Sequence, residues 1–161
     1  MTLSISVTAP ANSGDLVLEY QMVKEYQFWF AQFADVSITV QAPWAANYSV
    51  SATPTSWGTN QTQTYSVTIT NAGSQVWPAT GANPVHLGVH FANAGGGSGN
   101  NTWYTDQRFS LPADLAPGAS VTLSITVTAP ADSGNLVLEY QMVKEYQFWF
   151  AQFADVQVIV A

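Results

Sequence analysis

Apolar and polar residues alternate along most of this chain. Tyr65, Val67 and Ile69 fall on one side of a run whose other side is Thr64, Ser66, Thr68 and Thr70. Val85, Leu87, Val89 and Phe91 interleave with His86, Gly88 and His90, and Val121, Leu123, Ile125 and Val127 with Thr122, Ser124, Thr126 and Thr128. Leu136, Leu138, Tyr140 and Met142 alternate with Val137, Glu139 and Gln141, and Val156, Val158 and Val160 close the chain. Successive side chains of an extended backbone point to opposite faces, so this pattern predicts strands with one buried face. No stretch shows helical periodicity, and β-branched and aromatic residues dominate the runs. Turn chemistry falls between them, at Asn71-Ala-Gly73, Gly81-Ala-Asn-Pro84, the glycine-rich 95–99, Leu115-Ala-Pro-Gly118 and Asp132-Ser-Gly134.

Counting 48–57 and a short segment near 102–110, residues 47–161 carry about seven such strands. That number of short alternating strands in roughly 115 residues predicts an all-β, immunoglobulin-like β-sandwich. Pro43 stops the strand before it, so 41–46 reads as a linker.

The chain also writes one passage twice. Residues 2–40 realign with 122–160 at an offset of 120, with 33 of 39 positions identical, and 16–36 recurs letter for letter as 136–156. Residues 41–121 have no second copy. The chain is therefore one whole unit plus the back half of another, with 1–40 an orphaned three-strand half-domain. The orphan's expected inner face carries Leu3, Ile5, Val7, Leu16, Leu18, Tyr20, Met22, Phe28, Phe30, Val36, Ile38 and Val40. Each costs roughly 1.5–3 kcal/mol to leave in water. Together they exceed the about 5–15 kcal/mol by which ordinary domains are stable.

Open strand edges would template further pairing. The expectation is self-association through these residues. Two orphans pair face to face, or the orphan complements a front half in another chain, or it adds by its edge to a neighbouring sandwich. The last two contacts are head-to-tail and build a fibre unless they close. Near-identity of the copies fits both a recently duplicated array cut mid-repeat and a device for strand exchange. The substitutions Ser6/Thr126, Ser37/Gln157 and Thr39/Ile159 fall on the expected outward positions.

Composition narrows the function. Only 8% of residues are charged and the net charge is −7, with three basic residues in all, so nucleic acid is excluded as a partner. No apolar run approaches the roughly 18 residues of a spanning helix, so no membrane insertion is expected. Cysteine is absent, which excludes disulfides and thiolate metal sites. A polar but uncharged Thr/Ser/Asn-rich surface points to an extracellular or cell-surface module. No signal peptide is visible, as Met1 leads straight into an alternating pattern.

The stretch Asn71-Ala-Gly-Ser-Gln-Val-Trp-Pro-Ala-Thr-Gly-Ala-Asn-Pro-Val-His-Leu-Gly-Val-His90 resembles bacterial relatives of the NBR1-type central Ig-like domain. So do Leu111-Pro-Ala-Asp-Leu-Ala-Pro-Gly118 and Leu138-Glu-Tyr-Gln-Met-Val-Lys-Glu145 followed by Trp149-Phe150. The resemblance covers roughly 46–161 and, for the second half alone, 2–40. The tract 95–101 departs from it, where relatives carry a plainer hairpin. It implies a tryptophan-containing β-sandwich serving as an accessory or repeated module, with no catalytic residues and no cofactor.

Candidate chemistry is sparse. His86 and His90, four apart on one strand, sit about 13 Å from each other, too far to share a metal, and read as a surface polar pair. Glu139 and Glu145 beside Lys144 read as strand-end and turn residues, duplicated at Glu19, Lys24 and Glu25; Asp106 lies close to Arg108. No two carboxylates are placed together as a glycosidase requires. The glycine-rich tract lacks the lysine and helix of a phosphate loop and reads as a flexible loop tip. No enzyme is expected.

Aromatic residues remain. Trp77 reads as core, while Trp103, Tyr104 and Trp149 are candidates for stacking on a sugar face, with carbohydrate as an alternative partner. Trp149 must oppose Phe148 and Phe150 by alternation.

Overall fold

The computed structural model describes residues 2–10 and 12–161. They form two compact units, Met1–Ala42 and Pro43–Ala161. Among the described residues every regular element is a strand.

The first unit is an antiparallel hairpin of β1 (Gly14–Lys24) and β2 (Phe28–Val40). Gly14 pairs with Val40 and Leu18 with Val36, with an irregularity between Gln21 and Val23. Tyr26 closes the turn with a left-handed φ of 62°. Gln27 N–H donates to Lys24 O at 3.0 Å across that turn.

The alternation predicts three strands here, and the structure has two. Described residues between Thr2 and Ser13 form no strand, and Leu3, Ile5 and Val7 are 78%, 56% and 59% exposed. The reason lies in the second copy. Its counterpart segment is a strand only because it pairs with a strand from the front half, and the first unit contains no front half. An alternating sequence without a ladder partner leaves its N–H and C=O groups to water.

The second unit adds β3 (Ala46–Ser49), β4 (Ser56–Trp57), β5 (Thr62–Asn71), β6 (Val85–Ala92), β7 (Gln107–Ser110), β8 (Ser120–Thr128), β9 (Gly134–Lys144) and β10 (Phe148–Val160). These make a five-stranded sheet in the order β4-β10-β9-β6-β7 and a three-stranded sheet in the order β3-β5-β8. All neighbours are antiparallel except the short β4–β10 pair. The two sheets bury one core between them, so this unit is an immunoglobulin-like β-sandwich. Trp77, Phe91, Tyr140 and Phe150 are its largest fully buried side chains, each no more than 1% exposed.

Trp77 is in the core, as its sequence position suggests, with its ring 5.2 Å from that of Phe150. The expected linker 41–46 is shorter than predicted. Trp44 packs edge-on against Phe148 and Phe150, and Lys144 Nζ sits 4.2 Å above its ring.

The scarcity of charge is met on the outer face of β5 and β8 by hydroxyl pairs. Thr62–Thr128, Thr64–Thr126, Thr68–Thr122 and Thr70–Ser120 join side chains across the ladder at 2.7–3.0 Å. Cross-strand pairs of this kind are the unit of sheet stabilisation.

Candidate functional site

Two surfaces merit attention: the outer face of the five-stranded sheet, and the bare faces of the β1–β2 hairpin. On the first, β9 is the middle strand, buried without interruption from Leu136 to Val143. Its inward residues meet the core. Its other face is covered by loop 95–101, which folds down onto the sheet rather than forming the free tip expected from its glycines. Gly97 N–H donates to Glu139 Oε2 (2.7 Å), Ser98 N–H to Gln141 Oε1 (2.8 Å) and Gly96 N–H to Asp155 Oδ2 (3.1 Å). Gly97 takes φ 76°, a left-handed value that glycine adopts without steric cost. A Cβ there would stand 2.8 Å from the Phe153 ring, so a side chain could not be seated this close.

Glu139 corrects its reading as a strand-end surface residue: it is mid-strand and 0% exposed. It lies directly opposite Asp155 across the β9–β10 ladder, so tertiary structure brings together two carboxylates that the sequence does not. Asn101 Nδ2 donates a further bond to Glu139 Oε2 at 2.8 Å. Burial alone would push this carboxyl up. The His90 ring, Asn101 and the Gly97 N–H outweigh that and hold it below the usual range. The Asp155 carboxyl is pushed up, first by burial and then by the Glu139 charge.

His90 is likewise no surface residue. It is 0% exposed, with Trp103 stacked on it at 3.6 Å between ring centres and 1° between planes. Arg108 Nη1 lies 3.2 Å and Asp106 Oδ1 3.1 Å from His90 Nε2, while Nδ1 faces Glu139 Oε1 at 3.7 Å. Burial is the main cause that pushes the His90 pKa down, so the ring is held neutral. His86 is half-buried, and its Nδ1 lies 2.9 Å from Glu145 Oε1. Arg108 Nε reaches the same Glu145 oxygen at 3.3 Å and its guanidinium also pairs with Asp106.

The sugar-stacking candidates are drawn into this cluster. Trp149 opposes Phe150 across the strand, lies over Gly88, and has the Arg108 guanidinium 4.4 Å above its ring. Trp103 meets it edge-on at 5.0 Å. Both are half-buried, and Tyr104 is 43% exposed. The residues missed by sequence reasoning, Glu139, Gln141 and His90, occupy positions that alternation calls outward. Their signal was Val137 and Val143 on the same face of β9, apolar where a solvated face would be polar.

The buried pair predicts a pH dependence. His90 titrates below its ordinary 6.5 when folded and Glu139 below its ordinary 4.5. In both cases the unfolded chain binds more protons, so stability is complete above these values and falls as pH drops through them. Denaturant midpoints are expected to decline as pH is lowered through about 6.5, and more steeply in the carboxylate range. A midpoint that stays level down to the carboxylate range would mean that His90 is not held neutral by the fold.

The second surface is the hairpin. It repeats the sequence of β9 and β10, and among the described residues the equivalent side chains are far more exposed. Met142 is 0% exposed and Met22 66%; Tyr140 0% and Tyr20 39%; Phe150 1% and Phe30 40%. A groove of about 430 Å³ runs along it, lined by Leu3, Ile5, Tyr20, Met22, Phe33 and Ala34 among others. Leu18, Ile38 and Val40 are half-buried, and Leu16, Phe28 and Val36 exposed.

No family model matches the sequence, and no curated protein does. Among solved structures, the chain is similar to the CARDB domain of a Pyrococcus furiosus protein, with 17% identity and a TM-score of 0.44. That match covers 74% of this chain and 94% of the other. The sporulation control protein Spo0M of Bacillus subtilis matches at 9% identity and a TM-score of 0.46, over 71% of this chain and 48% of that one. A β-glucosidase from Listeria innocua matches at 12% and 0.40, over 73% of this chain and 16% of the enzyme. At this level of likeness no activity transfers.

Proposed function

We propose that this chain is a non-catalytic structural and adhesive module of an extracellular or cell-surface tandem-repeat protein or fibre, related to the NBR1-type Ig-like domains, and that its N-terminal hairpin joins it to a second copy. The observation that carries this reading is the pair of identical passages in opposite states. In one, β9 is enclosed on both faces and β10 on its inner face; the other offers the same rings and aliphatic chains to water. Exposed apolar surface of this continuity marks an interaction site.

Stoichiometry selects the form of contact between copies. Residues 1–161 hold one front half and two back halves. Exchanging hairpins between chains leaves one hairpin bare per chain and gains no burial. Two hairpins laid face to face bury both, in a closed two-fold contact.

A carbohydrate-binding reading draws less support. Of its three rings, Trp103 is stacked on His90 and Trp149 lies over Gly88.

Size-exclusion chromatography with light scattering is expected to give a dimer at micromolar concentration. Lysine at Met22 and Phe30 is expected to convert it to a monomer while the sandwich melts unchanged. A monodisperse monomer of the unaltered chain would refute the proposal.

A further inference from the structure

The structure displays what the hairpin's sequence binds when it is covered. Because 16–36 and 136–156 are identical, every contact the front half makes with the second passage has its atoms waiting on the first. We infer that the N-terminal unit is a receptor for a front half of the same repeat: a separate polypeptide of the 43–119 type that lacks its own back half. This rests on the hairpin being an interaction surface and names the partner it fits best.

The fit has three parts, each seen in the second unit. Strand β6 lies along the free edge of β9, with Leu138 opposite Phe91, Glu139 opposite His90, and Met142 opposite Leu87. The equivalent edge of β1 has no strand neighbour among the described residues, where its sheet is two-stranded. It would take such a strand with Leu18, Glu19 and Met22 in those registers. The glycine-rich loop then finds its acceptors: Glu139, Gln141 and Asp155 take the N–H groups of Gly97, Ser98 and Gly96, and Glu19, Gln21 and Asp35 stand in the same places.

The third part explains the missing strand. β8 exists through its ladder with β5, from Thr62–Thr128 to Thr70–Ser120. Residues 2–8 repeat β8 except at Ser6, and an incoming β5-type strand supplies the ladder they lack. A front half thus buries the inner face, the outer face and the edge at once. A second hairpin covers the inner face alone. Identical chains cannot exploit this among themselves, because each front half is already occupied by its own tethered back half at high effective concentration.

The test is to co-express the full chain with a tagged 43–119 polypeptide. A soluble complex of one chain with one probe is expected, with the self-associated form of the chain dissolved in favour of it. Glu19→Lys separates the two modes. Glu19 is exposed in the free hairpin, so self-association should persist, whereas the front half would bury the new charge against a histidine. Capture is expected to fall at least about tenfold. A probe that stays insoluble or unbound beside the full chain, or that binds Glu19→Lys equally well, overturns the inference. Self-association that survives alongside that result leaves the proposed function standing. A monomeric chain that captures the probe does the reverse.

Discussion

Alanine at Leu138 is expected to lower the stability of the sandwich by about 2–5 kcal/mol, and alanine at Leu18, in an identical sequence, to leave its melting unchanged. Leu138 is 0% exposed, at the centre of a strand with neighbours on both sides and a covered surface front and back. Removing its isobutyl group loses the transfer free energy of the buried carbons and leaves a cavity that the paired strands cannot close. Leu18 has the same neighbours along its strand and none across the missing sheet. Its truncation is expected to appear as weakened self-association. The pair of variants, read by denaturant melts and by light scattering, compares one sequence in two environments. If Leu18→Ala lowers the melting midpoint as much as Leu138→Ala, the first hairpin is enclosed in solution and the account of its exposure fails.

The second large effect is alkaline. Three tyrosine hydroxyls lie inside the sandwich. Tyr140 OH is 2.7 Å from Tyr65 OH and 2.8 Å from Thr53 Oγ1. Tyr48 OH donates to Gln152 O at 3.0 Å and accepts from Met142 N–H at 2.8 Å. Burial is the main cause that raises all three; Tyr140 is pushed up to about 12, and Tyr65 and Tyr48 move in the same direction.

A raised pKa means that the folded chain keeps protons the unfolded chain has lost. Stability is therefore complete below about pH 10, the unfolded value, and falls as pH rises toward the folded one. Each group contributes about 1.4 kcal/mol per pH unit, so Tyr140 alone removes roughly 2 kcal/mol by pH 12. With three groups acting together, cooperative unfolding is expected between about pH 10 and 12. Circular dichroism and tyrosinate absorbance should change in one step. Tyrosinate that forms gradually, with the sheet signal intact past that range, would show these hydroxyls to be accessible. Tyr140→Phe is expected to cost about 1–3 kcal/mol at neutral pH, because it strips a partner from both Tyr65 and Thr53.

Much of the fold was legible from alternation alone. Val85, Leu87, Val89 and Phe91 are all 0% exposed, and Leu123, Ile125 and Val127 line the opposing sheet at 8% or less. Period-two patterning succeeds there because each strand has one apolar face and one polar face, and the core selects the apolar one. Trp77 lies on no alternating strand, and its place in the core followed only from what the resemblance implies. The candidate site was not. His90 and Glu139 occupy outward positions by alternation, and they are buried because Trp103 and Trp149 lie on the one and loop 95–101 on the other. In β9 only the apolar Val137 and Val143 hint at a cover, and the segment that supplies it lies beyond β6 and far before β9 in the chain.

The glycines misled for a related reason. They suggest mobility, yet Gly97 brings its N–H within 2.7 Å of a carboxylate because no side chain keeps it away. Asp106, Arg108 and Glu145 were seen as neighbours in pairs along the chain. Their joining into one network with His86 and His90 depends on β6 lying between β7 and β9.

By itself the sequence determined the fold class, the alternating faces and the duplication, since all three follow from local side-chain pattern and from letters that repeat. Only the tertiary structure decided which of the twin passages is enclosed, whether 2–8 or 122–128 becomes a strand, and that Glu139 rather than Glu19 sits beside a buried histidine. Identical residues met different surroundings. A strand needs a partner for its backbone and a core needs a second face, and the front half supplies both to one copy only.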